Sequence, residues 1–342
     1  MRLMRAAFWL IASTLAVTAG TLHSAAAQTL PAQTLPTQTL PAQTWPAKPV
    51  RIIVSLAAGG TPDIICRIVS ERLAAAIGQQ IVVENHPGGA NVIGAQLAAK
   101  AAPDGYTLFF ATAAALVTNP YTFKTLPYDP LNDFVPIAMI AQNPFLVLAH
   151  PGVPAQNLAA LIAYDKANPG RLTLATDGPR NLSGMLAAWL NKLGGSSILQ
   201  VPYAAMPQGV QDTLAGRVQL TVLAVPSAAP HIASGALRAL ATSSPARLAN
   251  YPQIPTIGET FPGIEFSGWF ALAAPAGTPD AVIDRLNREL AVILKNPQIV
   301  TRLADLGFFT YEPAPPQAIR AYVRGQYDLW GKLTRDIGLK PE

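Results

Sequence analysis

The sequence predicts an α/β protein of two domains, each built on a mainly parallel, doubly wound sheet flanked by helices. Short apolar strands alternate with segments of helical spacing. That rhythm restarts after a long apolar stretch, Phe134 to Leu148, interrupted by Asn143 and Pro144. About 295 residues remain once an N-terminal leader and the short repeat after it are set aside, which suits two domains of moderate size.

The first strand and the turn after it organise the rest. Arg51 to Leu56 is a β-branched apolar run of the kind that fills the centre of a parallel sheet. Gly59 and Gly60 permit close backbone approach, Pro62 suits a first helical turn, and Asp63 is placed as a cap or first-turn anion. A helix start at the carboxyl end of a parallel strand presents unpaired N–H groups, so this loop is suited to an anion. An ordinary strand-to-helix turn with no ligand fits the same residues.

Ile64 to Ile77 reads as the helix, ended by Gly78, with Gln80 to Glu84 the second strand and Gly94 to Ala101 the next helix. Tyr106 to Thr112 is a third strand feeding a loop of small and hydroxylated residues. Phe134 to Leu148 is the first crossover between domains. Beyond it, helices at Leu158–Asn168, Leu182–Leu193, Gln208–Ala215 and Ala229–Ser234 alternate with strands at Leu172–Thr176, Ile198–Pro202, Val218–Val225 and Leu237–Thr242. A proline-rich turn region precedes Phe266 to Ala274, a strand returning to the first domain, and helices at Asp280–Lys295, Pro297–Leu306 and Pro316–Ile337 end the chain.

Arg2 and Arg5, the apolar run Ala6 to Leu22 and the small residues Ala25, Ala26 and Ala27 form a secretory signal peptide over residues 1–27. Its polar interruptions and limited length disfavour a membrane anchor. The five-residue units QTLPA, QTLPT, QTLPA and QTWPA of residues 28–47 read as an extended tether. The domains are expected at 48–145 with 268–342, and at 146–267. Charged residues are 13% of the chain, and the net charge of +5 loses two units with Arg2 and Arg5. Lys and Arg are scattered, with no basic run or aromatic stripe, which excludes nucleic acid and a membrane surface as partners. Cys66 is the only cysteine, so no internal disulfide forms, as in a periplasmic protein whose core needs no staple.

Motifs for catalysis are lacking: the chain has no G-x-S-x-G elbow, Walker A, G-x-G-x-x-G or H-E-x-x-H. His86, His150 and His231 are isolated from metal-ligand spacings and read as turn or helix-end residues. A periplasmic α/β hydrolase with Ser183 as nucleophile is the reading from another class, and Ser183 has no recognisable base. No catalytic residue, cofactor or metal is expected.

The stretches WPAKPVRIIV, VVENHPGGANVIGAQLAAKAAPDGYTL, LPYDPLNDFVPI, LQVPYAAMPQGVQDTLAGRVQL and IPTIGETFPGIEFSGWFALAAPAGTP carry a family resemblance. From Trp45 to Gln326 the chain resembles the periplasmic solute receptors of the tripartite tricarboxylate transporter family, the Bug-type receptors. The resemblance implies a type II periplasmic binding protein, a two-domain Venus flytrap that closes on a small organic anion, usually a carboxylate, without catalysis. It also implies that backbone N–H groups and ordered water hold the carboxylate, from Ser55, Leu56, Gly59, Gly60, Thr61 and Asp63 in one loop and Thr176, Asp177, Gly178, Arg180, Asn181 and Ser183 in the other. Thr112, Tyr203 and Leu223, at or beside strand ends, complete the expected pocket. Expected partners are the membrane subunits of a tripartite transporter or a sensor kinase, with the receptor itself a monomer.

The chain departs from the family pattern in both loops. Pro62 stands where relatives have Thr and removes an N–H donor, with Thr61 beside it able to supply a hydroxyl. Arg180 is the one cation near the expected cleft: a clamp on a second carboxylate, a partner of Asp177, and a solvated loop residue all fit it. Leu223 and Ala224 replace an acidic residue common in relatives, which makes the pocket less polar. An aliphatic or aromatic dicarboxylate with an unfunctionalised body is the expected ligand.

Overall fold

A computed structural model describes residues 45–178, 182–248, 250–264 and 267–341. The leader, most of the repeat, Arg180 and Asn181 therefore lie outside the described residues. Residues 43–342 form one compact unit that holds two five-stranded sheets.

In the first sheet the strands are β1 (Val50–Val54), β2 (Ile81–Asn85), β3 (Thr107–Thr112), β4 (Phe134–Asn143) and β10 (Gly268–Pro275), in the order β2-β1-β3-β10-β4. Those of the second are β5 (Phe145–Ala149), β6 (Thr173–Thr176), β7 (Leu199–Pro202), β8 (Leu220–Ala224) and β9 (Arg238–Thr242), in the order β7-β6-β8-β5-β9. The two orders correspond position by position. β1 pairs in parallel with β2 and β3, and β6 with β7 and β8. β10 runs antiparallel to β3 and β4, and β5 antiparallel to β8 and β9. Each antiparallel strand is the one that has just arrived from the other sheet, so it enters from the opposite end. Asn143 and Pro144 mark the first of these crossings, where β4 stops and β5 starts.

Helix α1 (Thr61–Ile77) begins one residue before the expected Pro62 because Gly60 holds the extended cap conformation, and it ends on Gly78 at φ 72°. The next helices are α2 (Val92–Ala99), α3 (Asn119–Thr122), α4 (Leu158–Ala167), α5 (Leu182–Gly194), α6 (Met206–Leu214) and α7 (Val225–Ala233). They are followed by α8 (Ile257–Thr260), α9 (Asp280–Lys295), α10 (Pro297–Asp305) and α11 (Pro316–Asp336). Three expectations are corrected. The residues after β3 form a π-helical turn, Ala114–Thr118, running into α3, because Thr112 Oγ1 accepts from the N–H of Ala115 and starts it. Pro226 turns the chain into α7 directly after β8, so the strand stops at Ala224. The proline-rich region holds α8, capped by Thr256 and Glu259 in reciprocal hydrogen bonds.

One apolar cluster fills the side of the first sheet facing α1 and α9, with Ile52, Val54, Ile65, Leu73, Phe110, Leu286 and Leu290 at its centre. Cys66 packs in it, its thiol pushed up to about 12 by burial. A second cluster runs from Phe109 and Ile319 to Leu174, Trp189 and Leu220, so a continuous core passes from one sheet to the other. α11 takes part in that passage: Trp330 and Leu333 meet Met185 and Trp189 of α5 around a small apolar cavity. Among the described residues no helix is long and apolar enough to cross a membrane.

Candidate functional site

The loops that follow β1 and β6 leave equivalent strands, at the carboxyl ends where open α/β sheets bind ligands. In the first loop Asp63 is 3% exposed and organises its neighbours. Its carboxylate accepts from the N–H of Gly59 at 2.9 Å, from Asn85 Nδ2 at 3.0 Å, and from Arg67 Nε at 3.0 Å on each oxygen. Asn85 also donates to the carbonyl of Leu56 at 3.0 Å, and Arg67 Nη2 donates to Asn85 Oδ1 at 3.1 Å. Burial by itself raises the Asp63 carboxyl, but these hydrogen bonds and the charge of Arg67 outweigh it and hold the pKa below the ordinary value. Asp63 is thus an internal brace.

The same bonds decide which donors remain for an anion. Gly59 gives its N–H to Asp63, and Gly60 points its own toward the carbonyl of Ala57 at 3.4 Å. The N–H groups of Ala57, Ala58 and Thr61 donate to no protein acceptor among the described residues. Ser55 is 1% exposed and donates its hydroxyl to Asn91 Oδ1 at 3.1 Å.

In the second loop Thr176 is fully buried, and its Oγ1 meets no partner among the described residues. The N–H of Asp177 donates to Ser183 Oγ at 3.0 Å, and Ser183 donates in return to Asp177 Oδ1. This closed pair ties the loop to the start of α5, with Gly178 at φ 118° between. The Tyr203 N–H donates to the carbonyl of Thr176 at 2.8 Å, but its hydroxyl donates to Asp212 at 2.7 Å. Leu223 packs with Leu146, Val225 and Leu237 in an apolar cluster of the second sheet. Thr112 Oγ1 accepts from the N–H of Ala115 in the turn after β3.

Asn85, Arg67, Asn91 and Asn119 are parts of the first loop's surroundings that sequence reasoning missed. The glycine pair in ENHPGGANVIG is the signal that marked the segment, and it belongs to a turn beside Ser55. His86 Nε2 lies 3.6 Å from Glu84, His150 Nδ1 accepts from the Gly152 N–H, and His231 sits in the last turn of α7. Among the described residues no group of His, Cys, Asp and Glu could hold a metal.

Residues 65–339 match the family described as tripartite tricarboxylate transporter family receptor. The chain belongs to that family. It is 34% identical over 295 residues to Protein BugT of Bordetella pertussis, covering 86% of this chain and 90% of BugT. Among solved structures it is similar to R. palustris Rpa4515 with adipate, at 30% identity and TM-score 0.68, covering 87% of this chain and 100% of that one. The periplasmic binding protein BugD matches at 31% identity and TM-score 0.65, with 87% and 100% covered. MatC from Rhodopseudomonas palustris with bound malate matches at 28% identity and TM-score 0.63, with 84% and 99% covered. The fold is that of the two-domain periplasmic binding proteins, and the chain is a solute-binding receptor rather than an enzyme.

Proposed function

We propose that this receptor works in the periplasm and captures a small dicarboxylate between the loops after β1 and β6, for delivery to the membrane subunits of a tripartite transporter. The observation that carries the reading is the set of unused donors: the N–H groups of Ala57, Ala58 and Thr61 at the start of α1 suit one carboxylate. Relatives with adipate and with malate support that class of ligand. The Asp63 carboxylate, the strongest side-chain acceptor of the first loop, is bonded internally and is not left to accept from a ligand hydroxyl. A ligand with a plain hydrocarbon body between its carboxylates therefore fits better than a hydroxylated one. Arg180 supplies the second carboxylate's countercharge. The lobes are 48–145 with 268–342, and 146–267, hinged where β4 passes into β5 and where the chain returns through β10.

Titration calorimetry with adipate, malate and hexanoate tests the reading, with solution scattering on the same samples. Adipate should bind more tightly than hexanoate and reduce the radius of gyration. At 100 times its dissociation constant it should add about 2.7 kcal/mol to stability. Tighter binding of hexanoate, or an unchanged radius at saturation, would count against the dicarboxylate or the closure respectively.

A further inference from the structure

Beside the first loop, the turn between β2 and α2 has positive φ at four successive residues. φ is 125° at Gly88, 55° at Gly89, 51° at Ala90 and 77° at Asn91. Asn tolerates this region but Ala does not, so the backbone at Ala90 is strained and must be held from outside. Three contacts hold it. Asn119, 3% exposed, donates Nδ2 to the carbonyl of Ala90 at 2.7 Å. Ser55 donates its hydroxyl to Asn91 Oδ1. Gly94 lets α2 press against the first loop, since a Cβ there would stand 2.7 Å from both Cα and Cβ of Ser55.

Strain maintained by its surroundings concentrates where function uses the geometry. Here the bracing orients one carboxamide. Ser55 occupies Oδ1 of the half-buried Asn91, and the Nδ2 donors meet no protein acceptor among the described residues. The turn and the loop carrying Ala57, Ala58 and Thr61 leave the carboxyl ends of neighbouring parallel strands. We propose that Asn91 Nδ2 donates directly to the ligand's carboxylate, and that Ser55 is a positioning residue which fixes the carboxamide's direction. The assignment rests on the carboxylate reading above. A neutral N–H donor at this point favours a carboxylate over an ammonium group at that spot.

Calorimetric titration of the mature protein with adipate tests this, using N91G, N91A, N91D and S55A. N91G removes the carboxamide without adding strain, N91A removes it and adds strain because Ala tolerates positive φ less well than Asn, and both should lose affinity by the same factor, roughly 10- to 100-fold. N91A alone should melt at a lower temperature. N91D should bind adipate more weakly than either, because carboxylate then faces carboxylate, and S55A should show a smaller loss. A purely structural role makes binding follow stability, so N91G binding adipate as tightly as the native protein overturns the assignment. Failure of the native protein to bind any mono- or dicarboxylate overturns the underlying reading, and the role of Asn91 with it.

Discussion

Gly307 lies against Pro226 so closely that a Cβ on the glycine would overlap the proline ring. Gly307 follows α10, beside the first sheet, and sits at φ 80°, while Pro226 is in the first turn of α7 beside the second. The contact fastens the two halves next to the point where Gln142 and Phe309 exchange backbone hydrogen bonds. G307A should therefore combine backbone strain with overpacking and lower stability by roughly 2 to 4 kcal/mol. An unchanged denaturant midpoint would show that this contact yields without cost.

Asp63 makes the first loop sensitive to acid. Its folded pKa is held below the ordinary carboxylate value near 3.8. A depressed pKa contributes stability that is present above the unfolded value and is lost as pH falls through the folded one. D63N should lower stability at pH 7 by roughly 1 to 3 kcal/mol, the scale of a hydrogen bond to a charged group. The gap between native and D63N melting temperatures should then shrink below about pH 4. A gap that stays constant down to pH 2 would rule out a charged Asp63 as the brace.

Arg180 is assigned from charge alone. R180A should weaken adipate by roughly 2 to 3 kcal/mol, the scale of a charge-assisted bond, and leave hexanoate nearly unaffected. Equal losses for both ligands would mean that Arg180 acts on the loop and not on a second carboxylate.

Processing is a further expectation. The order of arginines, apolar run and Ala25 to Ala27 places cleavage after Ala27. Mass spectrometry of the periplasmic fraction should find a chain beginning at Gln28, and an intact Met1 there would contradict it.

Local chemistry made much of this protein legible from its residues. The run Val50–Val54, the glycines after it and Pro62 specify a buried strand and a helix start without help from elsewhere, because burial pattern, backbone freedom and a fixed φ are local properties. Asn143 and Pro144 likewise mark a crossing between sheets. Long-range pairing decided the rest. Nothing in the composition of Gly268–Pro275 states that it runs antiparallel, since strand direction follows from which end of the sheet the returning chain reaches. Asp63 looks like a cap or an anion-site residue until Asn85 and Arg67 are seen to close around it. Thr112 and Tyr203 look unengaged until Ala115 donates to the one hydroxyl and Asp212 accepts from the other. Each donor hydrogen and each lone pair serves one good partner, so which of them are left for a ligand is settled only when the fold has assigned partners to the others.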